Sequence, residues 1–142
     1  MGTKDELTAL ICSAYGSPWL DFLNFQSDTV KAEEDDCFED LLVKVLLNGG
    51  KIRARDFYAE DEDEIYGDGE WDYENGCASY TIDLDDIRKG IEAAYNGAFV
   101  YHDEEEKRAA RKAVEELEDE NLDLWDAETL FQIILFGEII YG

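Results

Sequence analysis

Thirteen Asp and Glu side chains lie between Asp56 and Ile87, with no Lys or Arg among them. Carboxylates at this density suit three kinds of chemistry: ligation of a hard cation, acid–base catalysis by a pair, or a fixed negative field that attracts basic surfaces. Spacing argues against the first. An EF-hand loop starting at Asp61 needs Gly at its sixth place and a bidentate Glu at its twelfth, and Tyr66 and Asp72 stand there. The segment therefore reads as condensing divalent ions without a dedicated metal site. The second chemistry has nothing to rest on, because spacing singles out no catalytic pair from thirty-seven acids.

Other catalytic signatures are absent. His102 is the only histidine, which excludes a multi-histidine metal site, and just before an acidic helix start it reads as a surface imidazole. Gly67-Asp68-Gly69 lacks the third glycine of a dinucleotide loop, and Gly49-Gly50-Lys51 lacks the rest of a phosphate-binding loop. Cys12, Cys37 and Cys77 are odd in number and form no Cys-x-x-Cys pair, so a reducing, cytoplasmic setting is expected. Cys12 and Cys37 read as small buried thiols. No catalytic residue and no cofactor is assigned, and the chain is read as a non-enzyme.

The acids must be displayed by a folded body. The 142 residues are 45% hydrophobic and include three Trp, eight Tyr and seven Phe, an aromatic content foreign to a disordered acidic tail. One acidic globular domain over residues 1–142 is expected. Met1 to Glu6 lacks a signal-peptide pattern, and the apolar stretch Leu130 to Tyr141 is far shorter than the roughly 20 residues that span a bilayer, so no membrane role is expected.

Periodicity and end signals place the elements. Thr3 and Glu6 form a capping box for a first helix to about Tyr15, with Leu7, Leu10, Ile11 and Ala14 inward. Ser17-Pro18 reads as the start of a short helix carrying Trp19, Leu20, Phe22 and Leu23. Phe38, Leu41, Leu42, Val45 and Leu46 have helical spacing, and Asn48-Gly49-Gly50 stops that helix. Asn75-Gly76 predicts a type I′ hairpin in which Glu74 faces Cys77, Asp72 faces Ser79, Glu70 faces Thr81 and Asp68 faces Asp83 on a wet face. The dry face pairs Tyr73 with Ala78 and Trp71 with Tyr80. Lys51 to Tyr58 supplies a neighbouring strand through the acidic turn Glu60 to Gly67. Asp83 caps a helix with Ile87, Ile91, Ala94 and Tyr95 buried, ended by Asn96-Gly97. A largely surface helix from about Asp103 to Glu118 follows, with Ala110, Ala113, Val114 and Leu117 inward. The last, from about Asp126, is apolar almost all round and reads as central. The expected fold is α+β: a small antiparallel meander of two to three strands, one face covered by about five to six helices.

Some acids have local work. Lys51, Arg53 and Arg55 would oppose Asp72 and Glu74 across the meander, and Asp103 with Lys107 and Glu104 with Arg108 make i,i+4 pairs. The five consecutive acids Glu60, Asp61, Glu62, Asp63 and Glu64 remain, with Glu115, Glu116, Glu118, Asp119 and Glu120 at a helix C-terminus, where they oppose the macrodipole. The row Asp68, Glu70, Asp72 and Glu74 would repeat carboxylates about every 7 Å, near two steps of single-strand phosphate spacing. These two groups, Glu60 to Glu64 and Asp68 to Glu74, are the candidate partner-binding residues.

With this acidic hairpin, the segment Tyr80-Thr81-Ile82-Asp83-Leu84-Asp85-Asp86-Ile87 and the ending from Leu130 to Gly142, the chain resembles the small acidic proteins of bacteriophages and mobile elements that imitate DNA, the anti-restriction and anti-CRISPR inhibitors. Those inhibitors share no common fold, so the resemblance rests on charge and size and assigns no residue. It implies a partner that is a basic nucleic-acid-binding protein, a Cas9-type effector first and a restriction enzyme next, with no direct nucleic-acid or membrane binding. The alternative is an accessory protein that binds another protein through an apolar patch and is acidic only for solubility.

A formal charge of −25 makes the compact state repel itself. Raising salt from 0.01 to 0.1 M shortens the screening length from about 30 to about 10 Å. The melting temperature at neutral pH therefore rises over that range. A flat or falling value in thermal unfolding by circular dichroism would show that ion pairs outweigh net charge.

Overall fold

The computed structural model describes residues 4–23 and 38–141. Thr3, with its half of the first capping box, and Cys37 lie outside the described residues, as does the side chain of Leu23. The fold is α+β, and among the described residues it has five α-helices and a four-stranded antiparallel sheet. In chain order the elements are α1 (Lys4–Ala14), β1 (Leu20–Leu23), α2 (Phe38–Leu47), β2 (Ile52–Asp56), a 3₁₀ turn (Glu62–Glu64), β3 (Glu70–Asp72), β4 (Cys77–Ile82), α3 (Leu84–Asn96), α4 (Glu104–Glu118) and α5 (Leu124–Phe136). The sheet order is β1-β2-β4-β3.

Helix ends follow the local chemistry. Asp83, Asp103 and Asp123 cap α3, α4 and α5, each accepting from the backbone amide three residues on. Asp86 completes a capping box by accepting from the Asp83 amide at 3.0 Å. At the end of α2 the amide of Gly50 donates to the Val45 carbonyl at 2.9 Å and that of Gly49, at φ +81°, to Leu46 at 3.2 Å, a Schellman closure. The end of α4 closes in the same way, with Glu120 in the left-handed position at φ 57°.

Residues 20–23 are a strand where a helix was expected. Ser17 Oγ accepts from the amides of Trp19 and Leu20 at 3.4 and 3.3 Å, the bonds of a helix N-cap, but no helix follows. The chain then extends so that Leu20 and Phe22 enter the core while Asp21 reaches Arg55 on the other face. Four residues cannot stabilise a helix alone, and pairing with β2 supplies the missing hydrogen bonds.

The hairpin register also differs from expectation. Glu70 pairs with Ser79, Trp71 with Ala78 and Asp72 with Cys77, leaving a four-residue tip, Tyr73 to Gly76. Asp72 causes this. Its Oδ1 accepts from the amides of Glu74 and Asn75 at 3.0 and 3.1 Å, its Oδ2 accepts from Asn75 Nδ2 at 2.8 Å, and its carbonyl accepts from the Gly76 amide at 2.8 Å. Only Gly76 takes positive φ, whereas a type I′ turn requires it at Asn75 as well. Tyr73, expected on the dry face, is therefore carried into the tip and is 76% exposed.

The sheet is not a sequential meander, because β2 pairs with β4 and leaves β3 as the far edge. Strand β4 is almost wholly buried and takes the centre, while short, charged β3 suits an edge. Arg53 and Arg55 thus oppose Thr81 and Ser79 rather than Asp72 and Glu74. The face expected to be wet is partly closed: Cys77 and Ser79 are buried, and the Arg55 side chain is only 13% exposed in its pair with Asp21.

Leu20, Phe22, Ile52, Ala54, Ala78, Tyr80 and Ile82 line the inner face, against which α5 lies through Phe131 and Phe136. Helices α1, α3 and α4 pack around α5, which is buried almost all round. In α3 the buried stripe is Ile87, Gly90, Ile91 and Ala94; Tyr95, expected inside, is exposed and stacks under Arg111. Cys12 is exposed as well, contrary to expectation. The Asp103–Lys107 and Glu104–Arg108 pairs are not formed: Asp103 is the helix cap, and Lys107 lies over the Tyr101 ring.

Gly90 sets the approach of α3 to α5. A Cβ there would stand 2.8 Å from Ile134 Cα, a backbone atom that cannot move without shifting α5. Gly90→Ala should therefore destabilise by about 1–3 kcal/mol as overpacking. At an unobstructed helix position the same change stabilises by about 1 kcal/mol. Urea unfolding decides the sign, and a stabilised variant would contradict this packing.

Candidate functional site

The nine candidate acids divide into display and structure. Asp61 Oδ1 accepts from the Asp63 amide at 2.9 Å and caps the 3₁₀ turn, while Glu64 Oε2 accepts from the Glu60 amide at 3.2 Å. This brace turns Glu60, Asp61, Glu62 and Asp63 outward, and Glu64 is half-buried. Glu62, close to the Tyr73 hydroxyl, pushes that hydroxyl's pKa up, so the hairpin tip lies near the acidic turn. Glu74 is exposed in that tip.

The second row is shorter than its spacing suggested. Only Glu70 and Asp72 share a strand face, because Glu74 lies in the tip and Asp68 in the turn before β3. Asp68 opens instead onto a cleft with Asp86 and Lys89. Asp72 is committed to the tip: hydrogen bonds from Asn75, first its side chain and then its amide, hold the carboxyl below its usual range, and Arg53 adds to this. The four carboxylates therefore do not form the evenly spaced row that would track a phosphate strand.

Beneath this rim lies a buried acid that motif reading did not single out. Asp56 closes the alternation Ile52, Ala54, Asp56 on the inner face of β2 and is fully buried. Tyr141 Oη donates to its Oδ2 at 2.6 Å and the Tyr58 amide to its Oδ1 at 3.0 Å. Burial pushes the carboxyl up, opposed by these donors and the Ala59 amide, with Glu64 adding to the rise. The Tyr141 hydroxyl is raised by burial and then by its bond to Asp56.

Gln132, 2% exposed on α5, positions Tyr141. Its Oε1 accepts from the amides of Ile140 and Tyr141 at 2.7 and 2.6 Å, and its Nε2 donates to the Tyr141 carbonyl at 3.0 Å. The segment after α5 is thereby folded back, with the Tyr141 ring 5.0 Å from Trp19, 5.2 Å from Tyr58 and 5.9 Å from Phe136. A single polar residue within the apolar run Leu130 to Phe136 was the available sequence signal.

Among the described residues, no group of three or more His, Cys, Asp or Glu side chains is placed to hold a metal ion. His102 is exposed, with Nε2 3.8 Å from Glu138, and among the described residues no nucleophile is hydrogen-bonded to it. The thiols of Cys12 and Cys77 are both pushed up, by desolvation first and then by nearby carboxylates, so both are held as thiols. No described helix is long and apolar enough to cross a membrane. The chain matches no family model, and no curated protein or solved structure is similar to it.

The raised carboxyl of Asp56 has a defined sign. An acid with a raised folded pKa favours the folded state below its unfolded value and opposes it as pH climbs through the raised value. Tyr141→Phe removes a donor that stabilises the ionised form. It should destabilise by about 1–3 kcal/mol at neutral pH, where the carboxylate loses that donor. The loss should shrink as pH falls toward about 4, where the carboxyl carries its own proton. Guanidinium unfolding at both pH values tests this, and an equal loss at each would remove Asp56 from the interaction.

Proposed function

We propose that the chain is a non-enzymatic inhibitor of a bacterial defence nuclease, a Cas9-type effector in the first instance, acting in the cytoplasm as an acidic stand-in for nucleic acid. One observation carries the reading: Glu60, Asp61, Glu62, Asp63 and Glu74 are exposed on the acidic turn and the hairpin tip, with no cation paired to any of them among the described residues. Carboxylates in a fold this short of cations remain available to an outside one. A basic channel that holds a heteroduplex through its backbone offers the matching surface. Glu70, at the edge strand, extends the proposed contact; Glu64, Asp68 and Asp72 take supporting or separate places.

The accessory-protein alternative draws on a different observation, the exposed Trp125 and Leu124 at the start of α5 with Tyr58 nearby. A partner held there would be captured through apolar contact, with little dependence on salt.

Reversal to Lys at Asp61, Glu62 and Asp63 removes the Asp61 cap of the 3₁₀ turn, at a cost of about 1 kcal/mol, and leaves Asp56, Glu64, Asp72 and the core in place, so the domain stays folded. Capture of a purified Cas9-type effector or restriction enzyme should weaken by at least about tenfold, and wild-type binding should fall steeply with ionic strength and compete with duplex DNA. Surface-based binding at two salt concentrations gives all three readouts. Binding that tolerates the reversals, ignores salt and coexists with bound nucleic acid would exclude the mimic mechanism.

A further inference from the structure

A cleft of about 390 Å³ opens between the first turn of α4, the first half of α5 and the segment after α5. Four aromatic side chains line it: Trp19, Tyr58, Trp125 and Tyr141. Trp125 and Tyr58 are 64% and 48% exposed, whereas Trp19 is buried, so two rings stand at the mouth and one forms the floor. Four carboxylates share the lining, Asp103, Glu105, Glu106 and Glu128, and no Lys, Arg or His does. Asp103 Oδ1 and Glu106 Oε1 serve the start of α4, and Glu128 Oε2 accepts from Ser17 at 2.7 Å. Among the described residues, no donor reaches the second oxygen of any of these three.

The same chain shows what such a lining receives. Arg111 stacks on Tyr95 with its guanidinium carbon 4.4 Å from the ring centre and donates to the Tyr95 hydroxyl at 3.1 Å. Arg55 lies 5.1 Å from the centre of Phe57 while pairing with Asp21. Aromatic faces joined to oxygen acceptors are what a planar guanidinium takes, stacking on its face and donating in its plane. The cleft combines both kinds of group with a volume in the range of ligand pockets. We infer that it is the seat of an arginine side chain presented by a basic partner protein. This rests on the reading of a basic partner, but it adds a socket separate from the acidic turn.

The probe is a short peptide with one central arginine flanked by glycine and serine, titrated into the protein and followed by tryptophan fluorescence and calorimetry. Saturable binding is expected, weakened about tenfold by Trp125→Ala, whose ring is exposed, or by Tyr58→Ala, with urea unfolding checking that loss of the Tyr58–Tyr141 contact leaves the domain folded. Glu128→Gln should weaken it similarly, and replacing arginine by neutral citrulline should abolish it. The triple reversal at Asp61, Glu62 and Asp63 should leave peptide binding within about twofold, since those residues lie outside the cleft and act on it only through the screened field. Loss of nuclease capture with peptide binding retained would therefore count against the target and not the socket. No saturable binding, equal binding of the citrulline peptide, or indifference to the Trp125 and Tyr58 variants would overturn the inference. Tighter binding of free agmatine than of the peptide would overturn the assignment to a protein side chain.

Discussion

The fold depends on satisfying carboxylates without cations. With 37 Asp and Glu against 12 Lys and Arg, ion pairing cannot neutralise most of the acids. Backbone amides do the work instead. Asp61, Asp83, Asp103 and Asp123 cap the 3₁₀ turn and three helices, Asp72 closes the hairpin tip, and Asp56 is held by the Tyr58 amide and the Tyr141 hydroxyl. Each bond uses a negative group where the chain presents partial positive charge, so these acids stabilise local structure while adding to the net repulsion. The scarce cations are placed singly: Arg55 joins β2 to β1, and Arg111 covers an exposed tyrosine.

This arrangement separates two kinds of acid. Those bonded to amides are part of the fold, and their removal would act on stability. The carboxylates of Glu60, Glu62 and Asp63 in the outer turn and of Glu118 and Glu120 at the α4 C-terminus accept from no backbone amide among the described residues, and at the end of α4 the acids face the negative pole of the helix. Function is most economically sought in the second kind. The cleft at α5 belongs to neither, since its carboxylates are partly used in capping and partly open. Its chemical character comes from four aromatic rings that elements far apart in sequence bring together.

Much of the helical scaffold was legible from residue pattern, because its causes are local. Asp caps, the Gly49-Gly50 stop, the Gly97 end and the 3.6-residue apolar stripes act within one or two turns, and α2 to α5 appear where those signals place them. Acidity, an aromatic-rich core and the absence of clustered histidines were equally plain. The exposure of Glu60 to Asp63 was legible too, since an acidic run without apolar partners belongs at the surface, whereas the half-burial of Glu64 was not.

Tertiary structure alone decided the rest. Residues 20–23 carry apolar positions compatible with helix or strand, and only the open edge of β2 selects the strand. The hairpin register turned on whether Asp72 or Asn75-Gly76 governs the tip, a contest between side-chain hydrogen bonds that composition does not rank. Strand order placed Arg53 and Arg55 beside β4, because burial made β4 central and charge left β3 at the edge. Asp56 and Tyr141 lie 85 positions apart, and Trp19 and Trp125 further still. Periodicity reports which way a residue points along its own element. Which residues meet across elements is set by packing, and both the buried acid and the aromatic cleft are products of that packing.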